Sequence, residues 1–169
     1  MLIDVLNDHF ADLDKRQRRL IDQVPDEKLF WTPVSTADTM LLLSVGGAVL
    51  RSAAMIEQAF LGITRRLWDD PLEWTLPEKL STKASINEYL DEVASTRTNG
   101  ISFITSDADL ARQLPAPESL KPILQVLVES IARSENFLGR GEAVYKLFIS
   151  ESAGKDSSLR QELFRDRIR

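Results

Sequence analysis

Ile3, Leu6, Phe10, Leu13, Gln17, Leu20 and Val24 recur at alternating spacings of three and four residues, which is the period of one face of an α-helix. Pro25 ends that run, and "DEKLFWTP" (26–33) reads as a short turn element. Ser35 to Asp38 supply capping residues for a second helix over about 37–62. That helix is apolar nearly all round from Met40 to Leu50, which predicts a central place in the fold, and Gly62 stands where a helix would stop. Residues 63–84 lack clear periodicity and carry Trp68, Pro71, Trp74 and Pro77. Ser85-x-x-Glu88 then reads as a capping box opening a third helix through Ile86, Leu90 and Val93 to about Ile104. "SDADLARQLPAP" (106–117) holds a helical turn or two before Pro115 and Pro117. A fourth helix is predicted from near Ser119, with Pro122 tolerable in its first turn. Its seam is Leu120, Leu124, Leu127, Ile131, Ser134, Leu138, Gly141, Tyr145 and Phe148, spaced four and three as in a bundle.

No strand-like alternation competes, so the fold class is all-α, a four-helix bundle. The second connection matters most for topology. A helix of about 25 residues is roughly 37 Å long, and a linker of about 22 residues can span up to about 70 Å. The chain can therefore cross over along the bundle and leave the second and third helices parallel. The bundle is assigned to residues 1–149. Residues 150–169 are read as a polar linker and a short amphipathic tail carrying Leu159, Leu163, Phe164 and Ile168.

Composition narrows the function classes. The 169 residues suit one domain with a sizeable core. The net charge of −5 argues against a nucleic-acid partner. With no cysteine there is no disulfide, no thiolate zinc site and no cysteine nucleophile. The N-terminal stretch carries acids where a secretion signal needs a basic start. The longest apolar run, "MLLLSVGGAVL" (40–50), is about half a membrane span. A cytoplasmic protein with no membrane partner is expected.

Three stretches carry a family resemblance: "VPDEKLFWTP" (24–33), the apolar "TMLLLSVGGAVL" (39–50), and "DADLARQLP" (107–115) leading into "LQVLVESIARSENFLGRGEAVYKLF" (124–148). In their order and spacing the chain resembles the DinB/YfiT-like superfamily of bacterial four-helix bundles, over residues 6–149. The resemblance implies that family's topology, with a long crossover between the second and third helices. Metal-binding members use one histidine from the second helix and two, four apart, from the last, a spacing that puts both imidazoles on one face. With Gly139 as anchor, the last-helix pair falls on Arg133 and Phe137, and the second-helix position on Ser44 or within a turn of it towards Gly47 and Ala48. None is a histidine, and His9 is the only one in the chain, so no realignment restores the triad. Arginine cannot be deprotonated to coordinate and phenylalanine has no lone pair. The expectation is a site without metal and without cofactor.

His9 reads as an ordinary surface residue. Asp69, Asp70 and Glu73, between Trp68 and Trp74, read as a solvated loop under aromatic cover. Glu129 and Arg133 are four apart with the acid first, the favourable order for a helix ion pair. The sharper reading makes Arg133 a fixed, partly buried cation that receives a carboxylate. Gly46 and Gly47 inside the second helix should each cost about 1 kcal/mol relative to alanine. Close helix contact, or a retained hollow beside the small residues Ser130, Ser134 and Gly141, would compensate. The pocket candidates are Ser44, Gly47, Ala48, Glu129, Ser130, Arg133, Ser134, Asn136 and Phe137. No catalytic residue is assigned. A metal-free module that binds a small anionic molecule or a protein is preferred, with a homodimer as a further possibility. The alternative is an enzyme of the type the resemblance implies, a thiol-dependent S-transferase or a hydrolase, or a divergent catalyst in the same pocket.

Overall fold

Four helices carry the chain in the computed structural model: α1 (Leu2–Gln23), α2 (Val45–Arg65), α3 (Lys83–Ser102) and α4 (Ile123–Arg165). It describes residues 1–32, 44–73 and 77–165, with the side chains of all but 77–78 and 151–165. The one sheet among them is an antiparallel pair of three-residue strands, β1 (Gln113–Pro115) and β2 (Leu120–Pro122), so the class is all-α.

α1 follows its periodicity: Ile3, Leu6, Phe10, Leu13, Gln17 and Leu20 are buried along one face. Its first turn is capped from far along the chain. The Asp107 carboxylate accepts from the backbone N–H of Leu2 (2.9 Å) and of Ile3 (3.2 Å), satisfying two donors that a helix start leaves open.

α2 begins at Val45, about eight residues later than expected, because Ser44 is its N-cap: extended backbone, with its Oγ accepting from Gly47 N–H at 3.1 Å. The proposed caps at Ser35 to Asp38 lie outside the described residues. Gly46 and Gly47 thus sit in the first turn and not mid-helix. Gly46 N–H donates to Leu29 O at 2.8 Å, and the Phe30 ring fills the space a Cβ would need, so the glycine permits close approach. The far end also departs from expectation. Gly62 lies inside the helix, and the stop is Arg66, left-handed at φ 61°. Gly62 is bare because the Trp68 ring lies over it, 2.4 Å from where a Cβ would stand.

α3 starts one turn earlier than read. Thr82 is the N-cap, and Thr82 and Ser85 bond each other's backbone N–H reciprocally. The turns after α3 are 3-10 over Asp107–Ala111, followed by the strand pair. β2 takes residues expected in the last helix: Leu120 is 66% exposed, and α4 begins at Ile123, after Pro122. α4 then runs 43 residues to Arg165, continuing as helix through residues read as a polar linker.

Cross-helix contacts set the directions. Phe10 meets Phe60 and Gln17 meets Ser52, so α1 and α2 are antiparallel. Arg97 reaches Asn7 O while Lys83 reaches Asp22 O, so α1 and α3 are antiparallel too. α2 and α3 consequently run the same way, and the segment between them returns along the bundle. Ser52 meets Ser134 and Ser130 meets Met55, so α2 and α4 are antiparallel. Phe10, Phe60, Leu13, Ile86, Leu127 and Leu138 are among the fully buried side chains of the single core.

Candidate functional site

The face that α4 turns to α2 decides which candidates can form a site. Its buried residues are Ile123, Val126, Leu127, Ser130, Ser134, Leu138, Gly141 and Val144. Arg133 precedes Ser134 by one residue, about 100° around the helix, and is exposed. The expectation that Arg133 is wedged between the two helices is therefore corrected: the small hydroxyl residues Ser130 and Ser134 occupy that face. Ser130 Oγ donates to Met55 O at 2.9 Å. Ser134 is fully buried, and its Oγ lies 2.7 Å from Ser52 Oγ and 3.0 Å from Ser52 O. Gln17 Nε2 donates to Ser52 Oγ at 2.8 Å from α1. These hydroxyls are spent on helix contacts.

The expected Glu129–Arg133 pair is also corrected. Glu129 takes Lys121 Nζ at 2.8 Å from β2 and Gln125 Nε2 at 2.8 Å from one turn back. Those two bonds, Lys121 first, hold its carboxyl below the usual range, with Arg133 only a lesser contributor. Among the described residues no ion pair or hydrogen bond holds the Arg133 guanidinium.

The structure separates the candidates into two groups. Ala48 lies against Gly141, so close that a Cβ on Gly141 would stand 3.0 Å from it. In an antiparallel pair this places Ser44, Gly47 and Ala48 about one to three turns beyond Arg133 and Phe137. They do not share a site with them. Glu129, Ser130 and Arg133 do share one. They line a cavity of about 170 Å³ between α2, α4 and the loop that joins the strands. Arg133, Asn136 and Phe137 line a shallower depression beside it with Arg51 and Met55, and Arg133 and Met55 border both.

The cavity owes its walls to residues that periodicity does not single out. Trp68 is held by three contacts: its ring on Gly62, its Nε1–H donating to Pro115 O at 3.0 Å, and its carbonyl accepting from Gln58 Nε2 at 2.6 Å. Met55, Ala59 and Val126 add to the apolar lining, as do Ala116 and Pro117 from the strand-joining loop, and Lys121 and Glu118 stand at its polar side. The sequence signal for this wall was the tryptophan in an aperiodic segment, six residues after a helical glycine.

Other candidate chemistry is structural. Asp70 pairs with Arg51 and accepts from Leu72 N–H at 3.0 Å, so the acidic loop is tied to α2. His9 is 47% exposed, with Nε2 3.3 Å from Glu135 Oε1. On the opposite side of α2, Tyr89 OH donates to Glu57 Oε2 at 2.7 Å. Burial pushes the Glu57 carboxyl up, and burial followed by the nearby Glu57 charge pushes the Tyr89 phenol up. Sequence reading did not find this pair. Among the described residues no three His, Cys, Asp or Glu side chains are grouped as a metal site. No described helix is long and apolar enough to cross a membrane. No protein-family model, curated protein or solved structure matches the chain.

Proposed function

We propose that this protein is a DinB/YfiT-like bundle that binds a small molecule in the cavity beside Trp68 and carries no transition metal of its own. The observation behind the binding role is the cavity itself, about 170 Å³, with an apolar wall that includes Trp68, Met55, Ala59 and Val126 facing a polar side that includes Glu129, Ser130 and Arg133. The parallel run of α2 and α3 supports the family reading, as do the three sequence stretches that carry the resemblance. The metal-free reading rests on chemistry: tight transition-metal sites need nitrogen or sulfur donors, and the chain offers one imidazole and no thiol.

A fragment screen followed on the Trp68 indole N–H resonance tests the binding role. The expected result is a set of ligands that shift Trp68 in the parent and not in Ala116→Trp, which fills the cavity from its loop side. A screen in which nothing shifts Trp68 overturns it. Elemental analysis of tag-free protein is expected to find no stoichiometric zinc, nickel or iron, and about one such metal per chain retained in His9→Ala overturns the metal-free reading.

One observation favours a second reading, in which two copies pair. Leu2, Val5 and Val128 are 42%, 64% and 50% exposed, and Leu2 and Val128 line a common groove with Leu110 and Leu124. Sedimentation equilibrium on the parent and on Val128→Glu distinguishes a dimer that the charge disrupts from a monomer.

A further inference from the structure

We infer that the Trp68 cavity takes a small organic monocarboxylate whose apolar body is about the size of a benzene ring, with its carboxylate on Arg133. This deepens the binding role proposed above and depends on it.

Size comes first. A cavity of about 150 Å³ accommodates benzene, and this one measures about 170 Å³. Trp68, Met55, Ala59 and Val126 offer such a body an aromatic wall and aliphatic contacts. The polar groups then choose the head. Lys121 is neutralised by Glu129, and Arg51, at the neighbouring depression, by Asp70. Arg133 borders both hollows, and no acid among the described residues holds it in an ion pair. A guanidinium presents parallel N–H donors that match one carboxylate in a bidentate pair. Ser130, also in the lining, already donates its hydroxyl hydrogen to Met55 O and is left as an acceptor only. Glu118 lines the loop side of the cavity and disfavours a second negative charge on the ligand. Monocarboxylates are thus preferred over dicarboxylates.

The test titrates full-length protein with benzoate, benzyl alcohol, benzylamine and phthalate, following the Trp68 indole N–H by NMR. Benzoate is expected to bind about tenfold or more tightly than benzyl alcohol, the factor appropriate to a charge-assisted pair. Phthalate and benzylamine should be weaker than benzoate. Arg133→Met should remove the preference for benzoate over benzyl alcohol, and Glu118→Gln should narrow the gap between phthalate and benzoate. Arg133 is exposed, so loss of the fold does not confound its variant, and an unchanged melting temperature verifies this. If benzyl alcohol or benzylamine binds as well as benzoate, or Arg133→Met keeps the preference, the carboxylate assignment falls while the binding role stands. If none of the four compounds moves Trp68 but other fragments do, this ligand class alone falls. If no compound moves it, both fall together.

Discussion

Ser52 and Ser134 face each other across α2 and α4 with their hydroxyl oxygens 2.7 Å apart and each within bonding distance of the other's carbonyl. Gln17 adds a third bond from α1 to Ser52. All three side chains are buried, so the value of the cluster depends on its completeness. Ser52→Ala leaves the Gln17 amide without that acceptor and should cost about 2 kcal/mol, whereas Ser134→Ala leaves the Gln17–Ser52 bond in place and should cost about 1 kcal/mol. Replacing the trio together, Gln17→Met with Ser52→Ala and Ser134→Ala, should cost less than the sum of the single changes. Urea denaturation of the parent, the three single variants and the triple variant checks this. Equal losses in the two serine variants would count against the cluster as drawn.

Two glycines on α4 separate helix propensity from packing. Nothing stands within 4 Å of a Cβ built on Gly139, while one on Gly141 meets Ala48 at 3.0 Å and Leu20 at 3.2 Å. Gly139→Ala should stabilise by about 0.5–1 kcal/mol, the mid-helix preference for alanine. Gly141→Ala should lose that gain or reverse it, because the Ala48 Cβ can retreat only with α2. Melting curves of both variants decide it, and a gain of equal size at Gly141 would show that α2 and α4 are less closely apposed.

The cap on α1 predicts an acid-sensitive contribution. Backbone N–H bonds from Leu2 and then Ile3 hold the Asp107 carboxyl below its ordinary 3.8. A depressed acid contributes stability that is present above the unfolded value and lost as the pH falls through the folded one. Asp107→Ala should therefore melt lower than the parent at pH 7. The gap should narrow once the pH drops below 3.8 and the carboxyl of the parent takes up a proton. A gap that stays constant across that window would mean the charge is not what the cap contributes.

Glu57 carries the opposite sign. Its burial raises the carboxyl above 4.5, so ionisation opposes the fold and stability falls as the pH rises through that region. Glu57→Gln keeps an acceptor for the Tyr89 hydroxyl and removes the charge. It should be at least as stable as the parent at pH 7, with the advantage fading below pH 4.5. Thermal melts at pH 4 and pH 7 measure it.

How far these features were legible depended on where each signal resides. The face of α1 was readable because its apolar residues keep strict spacing and its other side is charged. The start of α2 was not, because the apolar run passes through Ser44 without a break in hydrophobicity, and only geometry shows that its hydroxyl caps Gly47. Glycine at 62 was read as a stop, yet the chain stops at a left-handed Arg66 and uses Gly62 to seat Trp68. The Glu129–Arg133 spacing satisfied a within-helix rule, but Lys121 reaches Glu129 from β2, a contact set by a strand pair too short to show alternation. The cavity was only half visible for the same reason. Its α4 side, Glu129, Ser130 and Arg133, lies on a periodic helix, and its Trp68 and loop side does not.

The long reach of the Asp107 cap has a kinetic consequence. Leu2 waits for an acceptor 105 residues downstream, and Arg16 for a carboxylate at Glu142, 126 residues downstream. Helical proteins fold fast when their contacts are local, but here closing α1 onto Asp107 and α4 means closing a loop of most of the chain. A nascent chain leaving the ribosome N-terminus first therefore presents α1 uncapped until Asp107 emerges, and with its apolar stripe only partly covered until α4 follows. That interval, more than the finished bundle, is where the protein is open to aggregation or to a chaperone.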